Sequence, residues 1–233
     1  MLITFPPQKK QLEKVTLKAK ELPVTIIAAM WESNDTVLIA ADSGITDTEK
    51  GKTSLPTEKL QCQSNENVPL AWGTAGNYMI GREYFSPWLK AYEWEPENLQ
   101  IFQTDVWRNL SGWNGMVREI KKSAKLRVQK NDLTEALVVG YLDKPFILHV
   151  DVKASLSRYY EGEFCAIGSC AWEASLLYTG VAIVAPFREI PFDERWQRLK
   201  SVIEKTTSDE IAPQCKPPIH VWRVSQTGIK RLS

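Results

Sequence analysis

Two apolar segments rich in β-branched residues lie near the start of the chain, separated by the polar run Glu32–Asp35. The first segment begins at Thr25 and the second ends at Asp42. Apolar segments on either side of a short polar break predict a β-hairpin. Because adjacent antiparallel strands bring the two ends of a hairpin together, we expect Thr25 and Asp42 to lie near each other at one end of a sheet.

Alternation of apolar and polar positions, which is typical of strands, appears later in the chain. It predicts a hairpin from Leu137–Leu142 and Phe146–Val152, short strands at 59–60, 69–73, 155–160 and 163–167, and a closing hairpin that begins at Ile219. Helical spacing predicts helices over 8–21, 103–128, 171–178 and 193–206, and one near 77–89 that Pro87 kinks or breaks. The polar segment 47–57 predicts a loop. Helices grouped between antiparallel hairpins favour an α+β fold with two packed antiparallel sheets covered by helices.

Composition is that of an ordinary globular protein, with 233 residues, 43% of them apolar and 24% charged. We interpret residues 25–233 as a single domain and residues 1–24 as an N-terminal extension or propeptide-like helix. The net charge of +1 gives no reason to expect a nucleic acid partner. No apolar run has the length of a membrane span, and the start lacks the pattern of a secretory signal, which favours a cytoplasmic protein without a membrane partner.

The cysteines and histidines give no sign of a metal or a cofactor. Cys62, Cys165, Cys170 and Cys215 fit no zinc-binding spacing, so reduced and mostly buried thiols are expected. The two histidines, His149 and His220, both lie within predicted strands. We therefore predict neither a histidine-based metal site nor a Ser-His-Asp triad.

Four short motifs extend the first hairpin into a candidate site. The motifs are the strand Thr36–Ser43, the segment Thr57–Leu60 with Lys59, the glycine turn Ala71–Gly76, and the glycine–serine turn Cys165–Cys170. In this order they resemble the proteasome-type family of N-terminal nucleophile hydrolases, from Thr25 to the closing hairpin. The resemblance implies a four-layer αββα sandwich, a homo-oligomeric ring and, if the protein is active, a peptide or protein substrate.

The resemblance also implies a role for each candidate residue. Thr25 would be the nucleophile after cleavage of the preceding bond, Asp42 would fix Lys59, and Ser169 would support the amine. Asp209 would join Ser169 in that support. The backbone N–H of Gly73, or of Gly76 in the same turn, would donate to the oxyanion.

These residue types suit amide hydrolysis. A free N-terminal threonine supplies a hydroxyl nucleophile and an α-amino group whose pKa of about 8 suits a general base. A nearby lysine favours the neutral amine, a carboxylate fixes that lysine, and a backbone N–H stabilises the tetrahedral oxyanion. No metal or cofactor is needed for this chemistry.

Other features favour a non-catalytic structural subunit. Val24 stands where the family places glycine before its nucleophile, and Ala212 stands where a serine is expected near the C-terminus. The length of the Glu32–Asp35 break also leaves the alignment around Thr25 uncertain by one residue. Three hypotheses therefore remain: a threonine peptidase if Thr25 is freed, a structural subunit of a ring, or an unrelated α+β binding protein.

Aromatic residues supply a further expectation. Five of them within residues 88–107 are expected to form either an interface between subunits or additional core: Trp88, Tyr92, Trp94, Phe102 and Trp107.

Overall fold

The structure is a computed structural model that describes residues 25–43, 45–47, 52–54, 58–65, 68–92, 99–153, 155–159, 163–184, 189–207 and 217–233. The described residues do not include the helix predicted over 8–21, or the placements of Trp94, Asp209 and Cys215.

The first sheet contains the hairpin predicted from Thr25 to Asp42. Its strands are β1 (Ile26–Ser33), β2 (Thr36–Ala41), β10 (Phe164–Gly168), β11 (His220–Ser225) and β12 (Gly228–Arg231). They are ordered β10-β1-β2-β11-β12, and every neighbouring pair is antiparallel. The closing hairpin is confirmed as β11 and β12.

A bulge at Glu32 sets the register of the first hairpin. The pairing of β1 with β2 shifts between Trp31 and Ser33, which places one extra residue in β1. Beyond the bulge Ile27 pairs with Ala41, and the Asp42 N–H donates to the Ile26 carbonyl at 3.2 Å. Asp42 therefore lies opposite Ile26, and Thr25 is the residue directly before Ile26.

The second sheet contains the other predicted hairpin. Its strands are β5 (Leu60–Asn65), β6 (Val68–Gly76), β7 (Thr134–Tyr141), β8 (Pro145–Val150) and β9 (Leu156–Tyr159). They follow one another in chain order, and all pairs are antiparallel. Apart from these sheets, β3 (Ile45–Asp47) pairs with β4 (Lys52–Ser54). The prediction of a loop over 47–57 was therefore wrong where the chain forms β4.

Four α-helices lie within the described residues: α1 (Ser86–Ala91), α2 (Leu99–Ser123), α3 (Ala171–Val184) and α4 (Arg195–Thr206). A π-helical turn, Ile80–Phe85, precedes α1, and the Ser86 N–H bonds to the Gly81 carbonyl. Pro87 stands in the first turn of α1, where its missing N–H is tolerated. The predicted break at Pro87 is thus a change of helix type.

The buried residues separate into three clusters that follow the two faces of each strand. In β1, Ile26, Ala28 and Met30 pack with residues of α3 and α4. Ile27, Ala29 and Trp31, which point the other way, pack with residues of the second sheet. The third cluster lies between the second sheet and helices α1 and α2. The protein therefore has an α+β fold of two antiparallel sheets and helices.

The aromatic residues around α1 and α2 contribute mainly to the third cluster. Phe102 is buried, and Trp88 and Tyr92 pack against the cluster with ring centroids 5.4 Å apart. Trp107 is 38% exposed. Most of the described aromatic residues that could have formed an interface are therefore core.

Candidate functional site

A buried ion pair joins the two sheets at one end. Lys59 Nζ donates to both carboxylate oxygens of Asp42, at 2.7 and 2.9 Å. The Asp42 side chain is fully buried and the Lys59 side chain is 8% exposed. Asp42 follows β2 of the first sheet, whereas Lys59 precedes β5 of the second sheet. The pair therefore connects the sheets by a charge-assisted contact.

Thr25 lies beside this pair at the entry to β1. The Ile26 N–H donates to Asp42 Oδ1 at 2.9 Å, so the carboxylate also fixes the backbone next to Thr25. Thr25 is 3% exposed. Its carbonyl accepts the Ser169 N–H at 3.0 Å. The structure thus brings Thr25, Asp42, Lys59 and Ser169 to the same end of the sheets.

The turn before Ser169 requires glycine. Gly168 has φ +101°, in the left-handed region that side chains disfavour. A Cβ at this position would overlap the Thr25 carbonyl oxygen. Ser169 itself is exposed, and Ala171 begins α3 two residues later. The close approach between the turn and Thr25 therefore depends on the absence of a side chain.

The two glycines predicted to contribute an oxyanion donor occupy different surroundings. Gly73 lies inside β6, paired with Leu60 on one side and Leu137 on the other. A residue of an interior strand directs its N–H toward a neighbouring strand. A Cβ on Gly73 would come within 2.6 Å of Ile27 Cδ1, so this glycine lets the sheets approach. Gly76, with φ +98°, ends β6.

Two residues at this end were missed by sequence reasoning, Glu135 in β7 and His149 in β8. Glu135 Oε1 accepts the Gly168 N–H at 2.9 Å, and Glu135 Oε2 lies 3.8 Å from His149 Nε2. Glu135 is 7% exposed. An acidic residue in the otherwise apolar run of β7 was the signal that could have identified it.

His149 carries a shifted pKa. Burial lowers the pKa of its imidazole, but the interactions with Cys165 and Glu135 outweigh burial and raise the pKa to about 9. The ring is therefore protonated at neutral pH, and it supplies a positive charge beside the Glu135 carboxylate.

A second buried ion pair lies at the opposite end of the first hairpin. Glu32, the bulge residue, is fully buried and accepts Arg223 Nε at 2.6 Å. Burial raises the pKa of Glu32, and Arg223 offsets part of that shift. Arg195, the first residue of α4, donates to the Glu32 carbonyl. This pair therefore ties the bulge to β11, while Arg195 ties it to α4.

The described ranges contain neither a metal cluster nor a membrane span. No group of three or more His, Cys, Asp and Glu side chains in these ranges could hold a metal ion. No helix within the same ranges is long and apolar enough to cross a bilayer.

Comparison with solved structures places the fold. Anbu (ancestral beta-subunit) from Yersinia bercovieri matches with a TM-score of 0.62 and 14% identity, over 89% of this chain and 87% of that chain. The chain shares the Anbu fold. A Gly-1 mutant of Anbu from Hyphomicrobium sp. strain MC1 matches with the same TM-score and identity, over 90% of this chain and 87% of its own. No family model matches the chain, and no curated protein matches its sequence.

The match to Anbu corrects the predicted family. The identification as a proteasome-type N-terminal nucleophile hydrolase was wrong, since the matching structures belong to Anbu, a proteasome-related but distinct family. The motifs behind that identification are a hairpin, one lysine and two glycine turns. Such short motifs reflect how a fold is built, so they do not discriminate between related families.

Proposed function

We propose that the chain is a structural subunit of a homo-oligomeric assembly with the Anbu fold. The observation that carries this proposal is the fold match over 89% of the chain to a protein named an ancestral beta-subunit. The three core clusters support a four-layer αββα arrangement within a single domain of residues 25–233, preceded by an extension over 1–24. The free thiols of Cys62, Cys165 and Cys170 support a cytoplasmic location.

Helix α3 supplies a surface suited to assembly. Trp172 is 71% exposed and Leu176, one helical turn later, is 54% exposed. Glu173 is the one charged residue in the helix sequence. Adjacent exposed apolar side chains of this kind mark protein–protein contacts. We therefore place a contact between subunits at Trp172 and Leu176.

Light scattering after size exclusion tests the assembly. We expect a multiple of the 26.5 kDa chain, and we expect Trp172→Glu with Leu176→Glu to reduce the mass toward one chain. Leu126→Glu is the matched control, because Leu126 is 47% exposed in the turn after α2, away from α3. A wild-type protein that elutes as a monomer at micromolar concentration would refute the proposal.

In this proposal the Thr25 site is structural. Both oxygens of Asp42 hold Lys59, and the pair spans the two sheets. Thr25 is buried and follows Val24, whose branched side chain differs from the glycine expected before a processed nucleophile. We propose that the Val24–Thr25 bond stays intact, so that Thr25 never acquires the free amine that would activate it.

A second candidate function has one observation in its favour, the grouping of Thr25, Asp42, Lys59 and Ser169. If the bond before Thr25 were cut, the hydroxyl of Thr25 could attack an amide carbonyl while its α-amine accepted the proton. Lys59, held by Asp42, would stabilise the developing charge. The protein would then be a threonine-dependent peptidase acting on peptides or proteins.

Amide hydrolysis by the purified assembly separates the two candidates. We expect no hydrolysis of a panel of fluorogenic peptides above the level of a Thr25→Ala variant. The comparison requires that Thr25→Ala elute with the wild-type mass, so that a lost assembly is not mistaken for a lost nucleophile. Hydrolysis by the wild type that disappears in Thr25→Ala would establish the peptidase instead.

A further inference from the structure

The proposed function leaves two ionisable groups without a purpose, the buried carboxylate of Glu135 and the half-buried imidazole of His149. Both come from the second sheet, but Glu135 reaches across to Gly168, the last residue of β10 in the first sheet. Its Oε1 accepts the Gly168 N–H at 2.9 Å while its Oε2 lies 3.8 Å from His149 Nε2. The next N–H in the chain, that of Ser169, donates to the Thr25 carbonyl at 3.0 Å.

We propose that Glu135 is the positioning residue of the Thr25 site, and that its carboxylate, paired with His149, holds the Gly168–Ser169 turn against the entry to β1. The inference rests on the proposed site, but it concerns a contact that neither candidate function assigns. In the structural subunit, this contact fixes where the chain enters β1. In the peptidase, the same contact would set the distance between Ser169 and Thr25.

The alternative, that Glu135 is only a tolerated buried acid, does not account for the arrangement of its two oxygens. Each oxygen has a different partner, one a backbone N–H and the other an imidazole. A buried carboxylate is costly unless it is paired and hydrogen-bonded. Glu135 meets both conditions, and it does so at a turn where glycine is required by the approach to Thr25.

The position of the turn, just before α3, also stabilises the negative charge of Glu135. Gly168 and Ser169 lead directly into α3, which begins at Ala171. The N-terminal end of a helix carries a partial positive charge that favours a nearby carboxylate. Glu135→Ala therefore removes both a hydrogen-bond acceptor and a negative charge from this end of α3, whereas Glu135→Gln removes the charge alone.

The charged and titratable groups around Glu135 and His149 determine the pH at which His149 loses its proton. His149 interacts with Glu135 from β7 and with Cys165 from β10, and these contacts raise its pKa to about 9. Lys130, in the turn before β7, lies 4.0 Å from Glu135 Oε1 and supplies a second positive charge. Loss of the proton from His149 above neutral pH would weaken the hold on the Glu135 carboxylate.

Nuclear magnetic resonance of the full chain tests the inference. The sequence has two histidines, so a His220→Gln variant assigns the His149 signal. In the wild type we expect His149 to titrate near pH 9 and the Gly168 amide shift to follow the same curve. In Glu135→Gln we expect the His149 midpoint to fall by at least one pH unit, because the carboxylate is gone and burial remains.

Hydrogen exchange of the same amide provides a readout of position. We expect the Gly168 amide to exchange at least tenfold faster in Glu135→Ala, and Glu135→Gln to restore part of the protection because it keeps an acceptor. Glu204→Gln on the outside of α4 is the control and should change neither readout. If Glu135→Ala does not fold, the Glu135→Gln titration still decides the question.

Two results would overturn the inference. One is a Gly168 amide shift in the wild type that does not follow the His149 titration. The other is a His149 midpoint that stays unchanged in Glu135→Gln. Neither measurement depends on assembly or hydrolysis, so failure of this inference is distinct from failure of the proposed function.

Discussion

The first hairpin carries a buried ion pair at each end, and the two pairs differ in what they connect. Glu32 and Arg223 lie on strands of the same sheet, with the Glu32 carbonyl also bound by Arg195 of α4. Asp42 and Lys59 lie on different sheets, and Asp42 also accepts the backbone N–H next to Thr25. The molecule therefore contains a structural pair that serves as an internal reference for the pair at the candidate site.

This comparison separates what burial requires from what function requires. A fully buried carboxylate needs a cationic partner wherever it lies, because an unpaired buried charge is costly. The pairing of Asp42 with Lys59 is therefore not evidence of catalysis, since Glu32 and Arg223 show the same pairing without a neighbouring nucleophile. The features peculiar to the Thr25 end are the glycine turn at Gly168 and its contact with Glu135.

The largest expected effect comes from removing the cation of each pair. Arg223→Met and Lys59→Met should each lower the free energy of unfolding by about 3–5 kcal/mol, because each leaves a buried carboxylate without a partner. Urea denaturation measures both. If the Thr25 end is structural, the two losses should be similar in size.

Double variants sharpen this comparison. Glu32→Gln with Arg223→Met, and Asp42→Asn with Lys59→Met, should each recover part of the loss, since no charge remains buried. Lys200→Met is the surface control, because its pair with Glu204 spans 3.5 Å on the exposed face of α4 and should be worth less than about 1 kcal/mol. If Lys59→Met is as stable as Lys200→Met but changes whether the Val24–Thr25 bond is cleaved, the Asp42–Lys59 pair is functional and not structural.

A smaller effect is expected from the glycine turn at the Thr25 end. Gly168→Ala should lower the free energy of unfolding by about 1–3 kcal/mol, since alanine is strained at φ +101° and its Cβ would overlap the Thr25 carbonyl. Gly180→Ala in α3 is the matched control, because nothing lies within 4 Å of its added Cβ. That control should be neutral or stabilise the helix by up to about 1 kcal/mol. Equal effects of the two substitutions would contradict the close approach.

The smallest expected effect is a loss of stability as the pH rises, and it concerns the Thr25 end of the first hairpin alone. The pKa of His149 is raised to about 9 in the folded protein, above its value in the unfolded chain. Its contribution to stability is therefore complete below about pH 6.5 and is lost as the pH rises through about 9. We expect a loss of about 1–2 kcal/mol over this window, discounted from the full shift because the imidazole is partly exposed.

Urea denaturation at a series of pH values measures this loss. His149→Gln should remove the dependence between pH 6.5 and 9, because the imidazole with the raised pKa would be gone. Arg223→Met, at the other end of the hairpin, should retain it. Stability that falls with the same slope in His149→Gln would assign the alkaline loss to another group.

Local sequence signals predicted most of the elements, but not how they meet. Two apolar runs around a polar break identified the first hairpin, since β1 and β2 each bury both faces against different partners. The register at Thr25 could not be predicted, because it is shifted by a bulge whose residue, Glu32, is paired with Arg223, far away in sequence. Contacts across the two sheets carry no periodic signal.

At the candidate site too, local signals predicted some residues and not the contacts that bring the others in. The hairpin geometry predicted that Asp42 would lie near Thr25. Lys59 and Ser169 were expected at the site only from the family resemblance, because they reach it through contacts between distant segments. Glu135 was missed because one acid in an apolar strand has no local pattern that names its partner. The family was mistaken because short glycine turns are consequences of the fold, which several families share.

The central claim is that the Val24–Thr25 bond stays intact, and tryptic mapping of protein purified from its own host tests it most directly. Trypsin cleaves after Lys20 and Lys50, so an intact bond gives a peptide running from Glu21 to Lys50. Mass spectrometry should detect this peptide and no counterpart beginning at Thr25. A peptide that begins at Thr25, recovered in place of the longer one, would contradict the claim and favour the peptidase.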